Sequence, residues 1–348
     1  MLTEEFAGRV VTWFRKNGRI LPWRVGRDPY RIWISEIMLQ QTRIEAVIPY
    51  YHRFLEELPS LSELAVCDSD RLMKLWEGLG YYSRARNLKR AAEAAVEKFG
   101  GTLPRDAALL RSLPGIGEYT AGAISSIAFG LPEPAVDGNV LRVVARVTAD
   151  PRDVLLASTK KDVTEALRLI YPTGQAAGDL TEGIMELGER VCLPNGTPLC
   201  ESCPLKELCL SRKENLWEAI PYRAPKAQRR IVPMTVFLLE KDGGFALRRR
   251  GETGLLAGLW EFYSVERALT KRELPEYLAP LGADMASLTD LGKKKHVFTH
   301  VEWHMHAYRV RVSSLPQGFS LHGAEEIGDS LALPTAFKPF YEKIKKAD

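Results

Sequence analysis

Apolar positions recur at three- and four-residue intervals from Thr3 to about Cys192 and at two-residue intervals beyond Arg230, so the chain changes period once. The first stretch predicts helices over residues 33–58, 68–75, 83–99 and 159–170. They are separated by Gly and Pro clusters at 78–80, 100–104, 130–134 and 150–152. The segment "PYRAPKAQRR", Pro221 to Arg230, bears proline, is basic and has few core residues, and reads as a linker. After it, "VPMTVFLLEKDGGFALRRR" alternates around Asp242-Gly243-Gly244 as a hairpin would. Further on, "HVFTHVEWHMHAYRVRV" alternates over its whole length as one strand, and a helix over 335–346 closes the chain. The pattern predicts an all-helical domain over residues 1–220, a linker over 221–230 and a largely stranded second domain over 231–348. It shows no internal repeat and no low-complexity tract.

Within the helical part, "LPGIGEYTAGAI" (113–124) places three glycines and a proline where a helix would otherwise run. A helix ending before Leu113, a tight turn at Pro114-Gly115-Ile116-Gly117 and a helix from about Glu118 leave backbone N–H groups facing outward. Such a turn suits a phosphate oxygen, although a bare P-G-x-G also serves as a simple packing corner. Asp137 in "VDGNV" sits where a helix cap belongs. Glu36 lies in a largely apolar helix with Trp33, Gln40 and Arg43 on its face, a costly place for a carboxylate unless it is exposed, paired or functional.

Composition narrows the classes. With 348 residues, 45% hydrophobic and 26% charged, the chain has the makeup of a soluble globular protein of two domains. The net charge of +4 permits a polyanionic partner without requiring one. The first ten residues lack a signal-peptide pattern, and no apolar run approaches the roughly 20 residues of a membrane span, so a cytoplasmic protein is expected. Four of the five cysteines, Cys192, Cys200, Cys203 and Cys209, bunch as C-x7-C-x2-C-x5-C, while Cys67 stands apart as an ordinary helix residue. In a reducing compartment such bunching favours metal over disulfides. Four thiolates with one C-x2-C pair suit an iron–sulfur cubane better than a zinc ribbon, which normally carries two.

The hairpin stretch followed by "VDGNVLRV" (136–143) resembles the helix-hairpin-helix base-excision glycosylases. "LPWR" (21–24), "WISEIMLQQTR" (33–43), "GLGYYSRARNL" (78–88), the four cysteines and "GLLAGLWEF" (254–262) narrow the resemblance to the MutY-type adenine DNA glycosylases over nearly the whole chain. The resemblance implies a multidomain α plus α/β protein. An all-helical helix-hairpin-helix glycosylase domain with an iron–sulfur loop at 192–209 precedes a Nudix-like α/β domain that recognises 8-oxoguanine. The implied activity is monofunctional excision of adenine mispaired with 8-oxoguanine or guanine from duplex DNA, in base excision repair. The implied bearer is a bacterial, cytoplasmic, nucleoid-associated monomer with a [4Fe-4S] cluster and no membrane partner. Glu36 would protonate the leaving base and then activate water, and Asp137 would stabilise the oxocarbenium-like sugar. Tyr119 stands where strand-cutting relatives carry a Schiff-base lysine. Gly115 and Gly117 would admit a phosphate. Gln41, Thr42 and Leu79 would lie near the opposite base, Tyr81 would push into the stack, and Trp23, Arg24 and Glu182 would surround the extruded adenine. The metal ligands would be Cys192, Cys200, Cys203 and Cys209, with one residue more in the first gap than the family's commonest spacing. Phe298-Thr299-His300 replaces the family's Phe-Ser-His sensor loop.

Three rivals are distinguishable in the sequence. An endonuclease III-like glycosylase/lyase for damaged pyrimidines conflicts with Tyr119 and with the second domain. A non-catalytic iron–sulfur DNA-binding or redox-sensing protein would have no need of Glu36 and Asp137. A Nudix nucleotide hydrolase needs R-E-x-x-E-E, whereas Arg272-Glu273-Leu274-Pro275-Glu276-Tyr277 lacks the paired glutamates and places a proline in the helix. Lys206, Arg212 and Lys213 read as phosphate contacts or as a solvated charge run. His296, His300, His304 and His306 fall on one face of the expected strand, where mixed polar packing is favoured over a metal site.

Overall fold

The computed structural model describes residues 2–225 and 228–345. Lys226, Ala227 and Lys346, parts of the linker and of the closing helix read from sequence, lie outside the described residues. The helices before the sheet are α1 (Glu4–Asn17), α2 (Pro29–Leu39), α3 (Ile44–Glu57), α4 (Leu61–Val66), α5 (Ser69–Leu75) and α6 (Ser83–Phe99). They continue with α7 (Ala107–Arg111), α8 (Glu118–Ala123), α9 (Gly138–Thr148), α10 (Ala157–Arg168), α11 (Gln175–Arg190) and α12 (Leu210–Lys213). The strands are β1 (Arg230–Lys241), β2 (Gly244–Arg249), β3 (Trp260–Val265), β4 (Ala283–Val297), β5 (Val301–Val312) and β6 (Ser320–His322), with α13 (Leu274–Leu278), α14 (Ala324–Asp329) and α15 (Lys338–Lys345) among them.

Two compact units result, Met1–Val66 with Asn87–Pro225 and Cys67–Arg86 with Lys226–Asp348. In the first, α1, α9 and α11 bury Phe6, Val10, Val140, Val144, Leu180 and Ile184 against one another. Local signals set the helix starts. Asp28 caps α2 by accepting from the Arg31 N–H at 2.9 Å, with Pro29 in the first turn, and Asp106 caps α7 through the N–H groups of Ala108 and Leu109. The continuous helix expected over 33–58 is instead two. α2 ends at Leu39 and α3 begins at Ile44, because Gln41 adopts a left-handed φ of 59°. Arg43 therefore precedes α3 and does not share a helical face with Glu36.

In the second unit the sheet order is β4-β5-β1-β3-β2-β6, with β1 and β5 parallel and the other neighbours antiparallel. Both faces of β1 are covered. Val236 and Leu238 join Phe337, Phe340 and Ile344 on one side, while Phe237 and Leu239 join Leu274, Leu278 and Tyr308 on the other. A strand buried on both faces reads as a continuous apolar run, which explains "VFLL". Asp242 (φ 48°) and Gly243 (φ 78°) form the tight turn between β1 and β2, as their residue types require. The single strand expected from His296 to Val312 is a hairpin: the Phe298 N–H donates to the Val301 carbonyl at 2.8 Å, and Phe298–His300 form the tip between β4 and β5. The alternation hid the turn because the residues flanking the tip keep the same phase. Among the described residues, no helix is long and apolar enough to cross a membrane.

Candidate active site

Three elements of the first unit, α2, α9 and α11, deliver carboxyl groups to one neighbourhood, and α8 adds a tyrosine hydroxyl. Glu36, near the end of α2, is 6% exposed, and the Tyr119 hydroxyl of α8 donates to its Oε2 at 2.5 Å. Burial pushes the Glu36 carboxyl up to about 7. The nearby carboxylates of Glu182 and Asp137 add to the rise, while the Tyr119 hydrogen bond and Arg24 oppose it. Burial and the carboxylates of Glu36 and Asp137 hold the Tyr119 phenol well above its usual value of 10, so it remains a proton donor. The Tyr119 hydroxyl occupies Oε2, so the exchangeable proton of the carboxyl belongs on Oε1.

Asp137 performs two tasks. Its Oδ1 accepts from the N–H groups of Asn139 (2.9 Å) and Val140 (2.8 Å) and thereby caps α9, while Oδ2 accepts from Asn139 Nδ2 at 2.9 Å. Burial raises its carboxyl above the ordinary range, against the pull of these hydrogen bonds. The cap fixes the carboxylate without removing it from the electrostatic surroundings of Glu36.

The hairpin before α8 has the predicted turn, with Gly117 at the helix start and Gly115 at a φ of 76°. The two glycines differ physically. A Cβ on Gly115 would sit 2.6 Å from Asn87 Cβ in a left-handed backbone, so that position requires glycine for the fold. Gly117 has an ordinary φ of −88° and a Cβ there would meet nothing within 4 Å. Its bareness leaves open space in front of the N–H groups that start α8, which then runs into a π turn at Ile124–Ala128.

A salt-bridge network that the sequence reading missed backs the site. Arg24 donates to Glu182 Oε1 at 2.9 Å and to Glu186 Oε2 at 3.0 Å, and Arg19 grips Glu186 with two nitrogens at 2.7 and 3.1 Å. Asp179 accepts from Arg15 at 2.7 Å and from Arg27. Burial would raise Glu186, but the two arginines outweigh it and hold that carboxyl low, whereas burial prevails at Glu182 and raises it. The available signal was the spacing of Asp179, Glu182 and Glu186, three acids on one face of α11. Trp23 is buried and packs edge-on against Tyr51 at 5.4 Å between centroids. Gln41 and Thr42 lie in the link from α2 to α3, Gln41 exposed.

Leu79 and Tyr81 belong to the second unit, in a turn with positive φ at Gly78, Gly80 and Tyr81. Leu79 and Tyr82 are buried, whereas Tyr81 is 45% exposed. Arg84 supports this turn, donating to the carbonyls of Leu79 (3.0 Å) and Gly80 (3.1 Å) and lying over the Trp76 and Tyr81 rings. In the same unit the hydroxyls of Tyr81 and Thr299 lie 3.0 Å apart, at the tip that also carries Phe298 and exposed His300.

All four clustered cysteines line one cavity with Val143, Arg146 and Leu187. Arg146 donates to Cys192 Sγ at 3.3 Å and to the Leu193 carbonyl at 2.9 Å. The long first gap is accommodated outward: Leu199 N–H returns to the Val191 carbonyl at 2.9 Å while residues 194–197, including Gly196 at φ 72°, stand exposed. Among the described residues, no three His, Cys, Asp or Glu side chains form a group that could hold a single metal ion. Four sulfur donors around a space fit a multi-iron group. The histidines do not form one strand row: His296 is on β4, and His304 and His306 on β5 bond Glu302 (2.6 Å) and Asp290 (2.8 Å). Glu273 is occupied by the Thr270 backbone and hydroxyl and by Arg267.

Residues 34–172 match the HhH-GPD superfamily of base excision DNA repair proteins, and residues 235–343 match the NUDIX domain. The chain is 34% identical to the adenine DNA glycosylase of Homo sapiens over 97% of this chain and 73% of that protein. It is 30% identical to the adenine DNA glycosylase of Buchnera aphidicola subsp. Baizongia pistaciae over 99% and 98%. A solved non-covalent endonuclease III–DNA complex is 26% identical with a TM-score of 0.52, covering 62% of this chain and 99% of that one. With both domains matched, in order, the chain belongs to the adenine DNA glycosylase family.

Proposed function

We propose that this chain hydrolyses the N-glycosidic bond of adenine mispaired with 8-oxoguanine or guanine in duplex DNA and leaves the strand intact. The observation that carries this reading is the buried Glu36, with a carboxyl at about 7 and a tyrosine, not an amine, bonded to it. Near neutral pH a large fraction of Glu36 holds a proton and delivers it to the leaving base as the C1′–N bond breaks. The positive charge developing on the sugar is met by the fixed Asp137 carboxylate, and Glu36, now ionised and steadied by the Tyr119 hydroxyl, takes a proton from the attacking water. With no lysine at position 119 there is no imine and no β-elimination.

The extruded adenine lies beside Trp23, Arg24 and Glu182, the hairpin N–H groups around Gly115 and Gly117 hold a phosphate, Gln41, Thr42 and Leu79 lie near the opposite base, and Tyr81 pushes into the stack. Phe298, Thr299 and His300 read the opposite base. Cys192, Cys200, Cys203 and Cys209 would hold a [4Fe-4S] cluster, which would cross-link their loop through four iron–thiolate bonds; the hydrolysis itself is redox-neutral. The protein acts as a monomer. The test is adenine release from duplexes carrying A opposite 8-oxoguanine, G or T, with and without alkali. Release confined to the first two with strand breaks only after alkali is expected, and breaks without alkali would overturn the reading.

A further inference from the structure

Glu77 immediately precedes the turn that presents Tyr81, and its side chain is only 11% exposed. Its carboxylate gathers three partners: Lys74 Nζ at 2.9 Å, the Leu333 N–H at 3.2 Å and Lys338 Nζ at 3.4 Å. Lys74 in turn donates to the carbonyls of Gly328 and of Leu331, the latter at 3.2 Å, just past the C-terminal end of α14, where a cation also complements the helix dipole. The segment Cys67–Arg86, which the sequence order places among the helices of the first unit, is thereby tied to residues 328–338 of the second.

We infer that Glu77 is a positioning residue for base extrusion: it anchors the Gly78–Tyr82 turn to the α14–α15 segment, so that the stacking side chain Tyr81 is offered at a fixed height. The inference rests on the proposed role of Tyr81 in the duplex. Three features make the anchor specific. The carboxylate is held by two cations and one backbone donor, a partly buried network whose loss leaves charges unpaired. Glu77 is four residues from Tyr81, and the intervening Gly78 and Gly80 have left-handed backbones that transmit no helical rigidity, so an external tie is needed. Arg84 and Trp76 support the turn from within, through the Leu79 and Gly80 carbonyls, and the Tyr81 hydroxyl meets Thr299, whereas Glu77 ties the base of the turn to the α14–α15 segment.

The experiment is a double-mutant cycle on the full chain, using duplexes with 2-aminopurine in place of the target adenine to report extrusion and single-turnover release of adenine to report chemistry. Glu77→Ala should slow extrusion about tenfold in the parent and less than about twofold when Tyr81→Ala is already present, because one residue acts through the other. Glu77→Gln keeps the acceptor for Leu333 and loses the ion pairs, and should fall between; with Lys338→Met it completes the cycle if Glu77→Ala does not fold. Equal losses in both backgrounds, or a lower melting temperature with unchanged extrusion, would overturn the inference while leaving the proposed activity standing. A Tyr81→Ala protein that extrudes normally would remove the reading beneath it and the inference together.

Discussion

Glu36 carries opposite consequences for activity and for stability. A carboxyl whose folded value is about 7, against 4.5 for the exposed group, binds protons in the folded state across the interval between them. Stability is therefore fully present below about 4.5 and is lost as pH rises through 7, by roughly 3 kcal/mol at pH 8. Glu36→Gln should remove this penalty and raise the thermal midpoint at pH 8 while base release falls by at least about a hundredfold; a lower midpoint would contradict the burial argument. The single-turnover rate of the parent should decline above pH about 7, as the proton is lost from Glu36. At position 119, lysine in place of tyrosine should allow borohydride to trap a protein–DNA adduct that the parent does not form. A folded Tyr119→Lys protein that still releases adenine and yields no adduct would show that residue 119 does not face the sugar.

Among the elements, the hairpin offers a comparison between two glycines. Gly115→Ala should cost at least about 1 kcal/mol, since it combines a left-handed backbone with a 2.6 Å approach to Asn87. Gly117→Ala should leave the melting temperature nearly unchanged, because its Cβ meets nothing, yet weaken duplex binding. Unchanged binding by a folded Gly117→Ala would argue against a phosphate at the hairpin. The cysteine loop predicts brown protein with about four irons per chain, checked by metal analysis and visible absorbance; zinc without colour would reject the cluster. Elements marked by local chemistry were legible in the sequence, such as α9 capped by Asp137 and the Asp242-Gly243 turn. Two breaks were not. Gln41 adopts a backbone that its side chain does not advertise, and the Phe298–His300 tip preserves the alternation on either side of it. The arginine grip on Glu186 was equally invisible, since Arg19 and Arg24 lie more than 150 residues away in the chain, whereas the resemblance had already put Arg24 and Glu182 in one pocket.

At the scale of the molecule, the sequence reading placed one boundary near the linker, whereas the contacts divide the chain into units that exchange a segment. No pattern of periods could show this, because α5 and the Tyr81 turn have ordinary helical and turn chemistry and only distant residues decide where they pack. A chain ending at Pro225 should keep the Glu36 and Asp137 surroundings, yet leave Leu72, Met73 and Trp76, all buried in the whole protein, without their unit. Such a truncation should bind more of a hydrophobic dye and discriminate less between 8-oxoguanine and guanine than the full chain; equal discrimination would show that the second unit is not the sensor. The exchange also has a consequence during synthesis. Residues 67–86 are made about 230 residues before β5 is complete, roughly 10 to 45 s earlier at ribosomal rates of about 5 to 20 residues per second. Throughout that interval Glu77 lacks Leu333 and Lys338, and Lys74 lacks the carbonyls of Gly328 and Leu331. The tie between residues 67–86 and the α14–α15 segment therefore forms only after nearly the whole chain has been made.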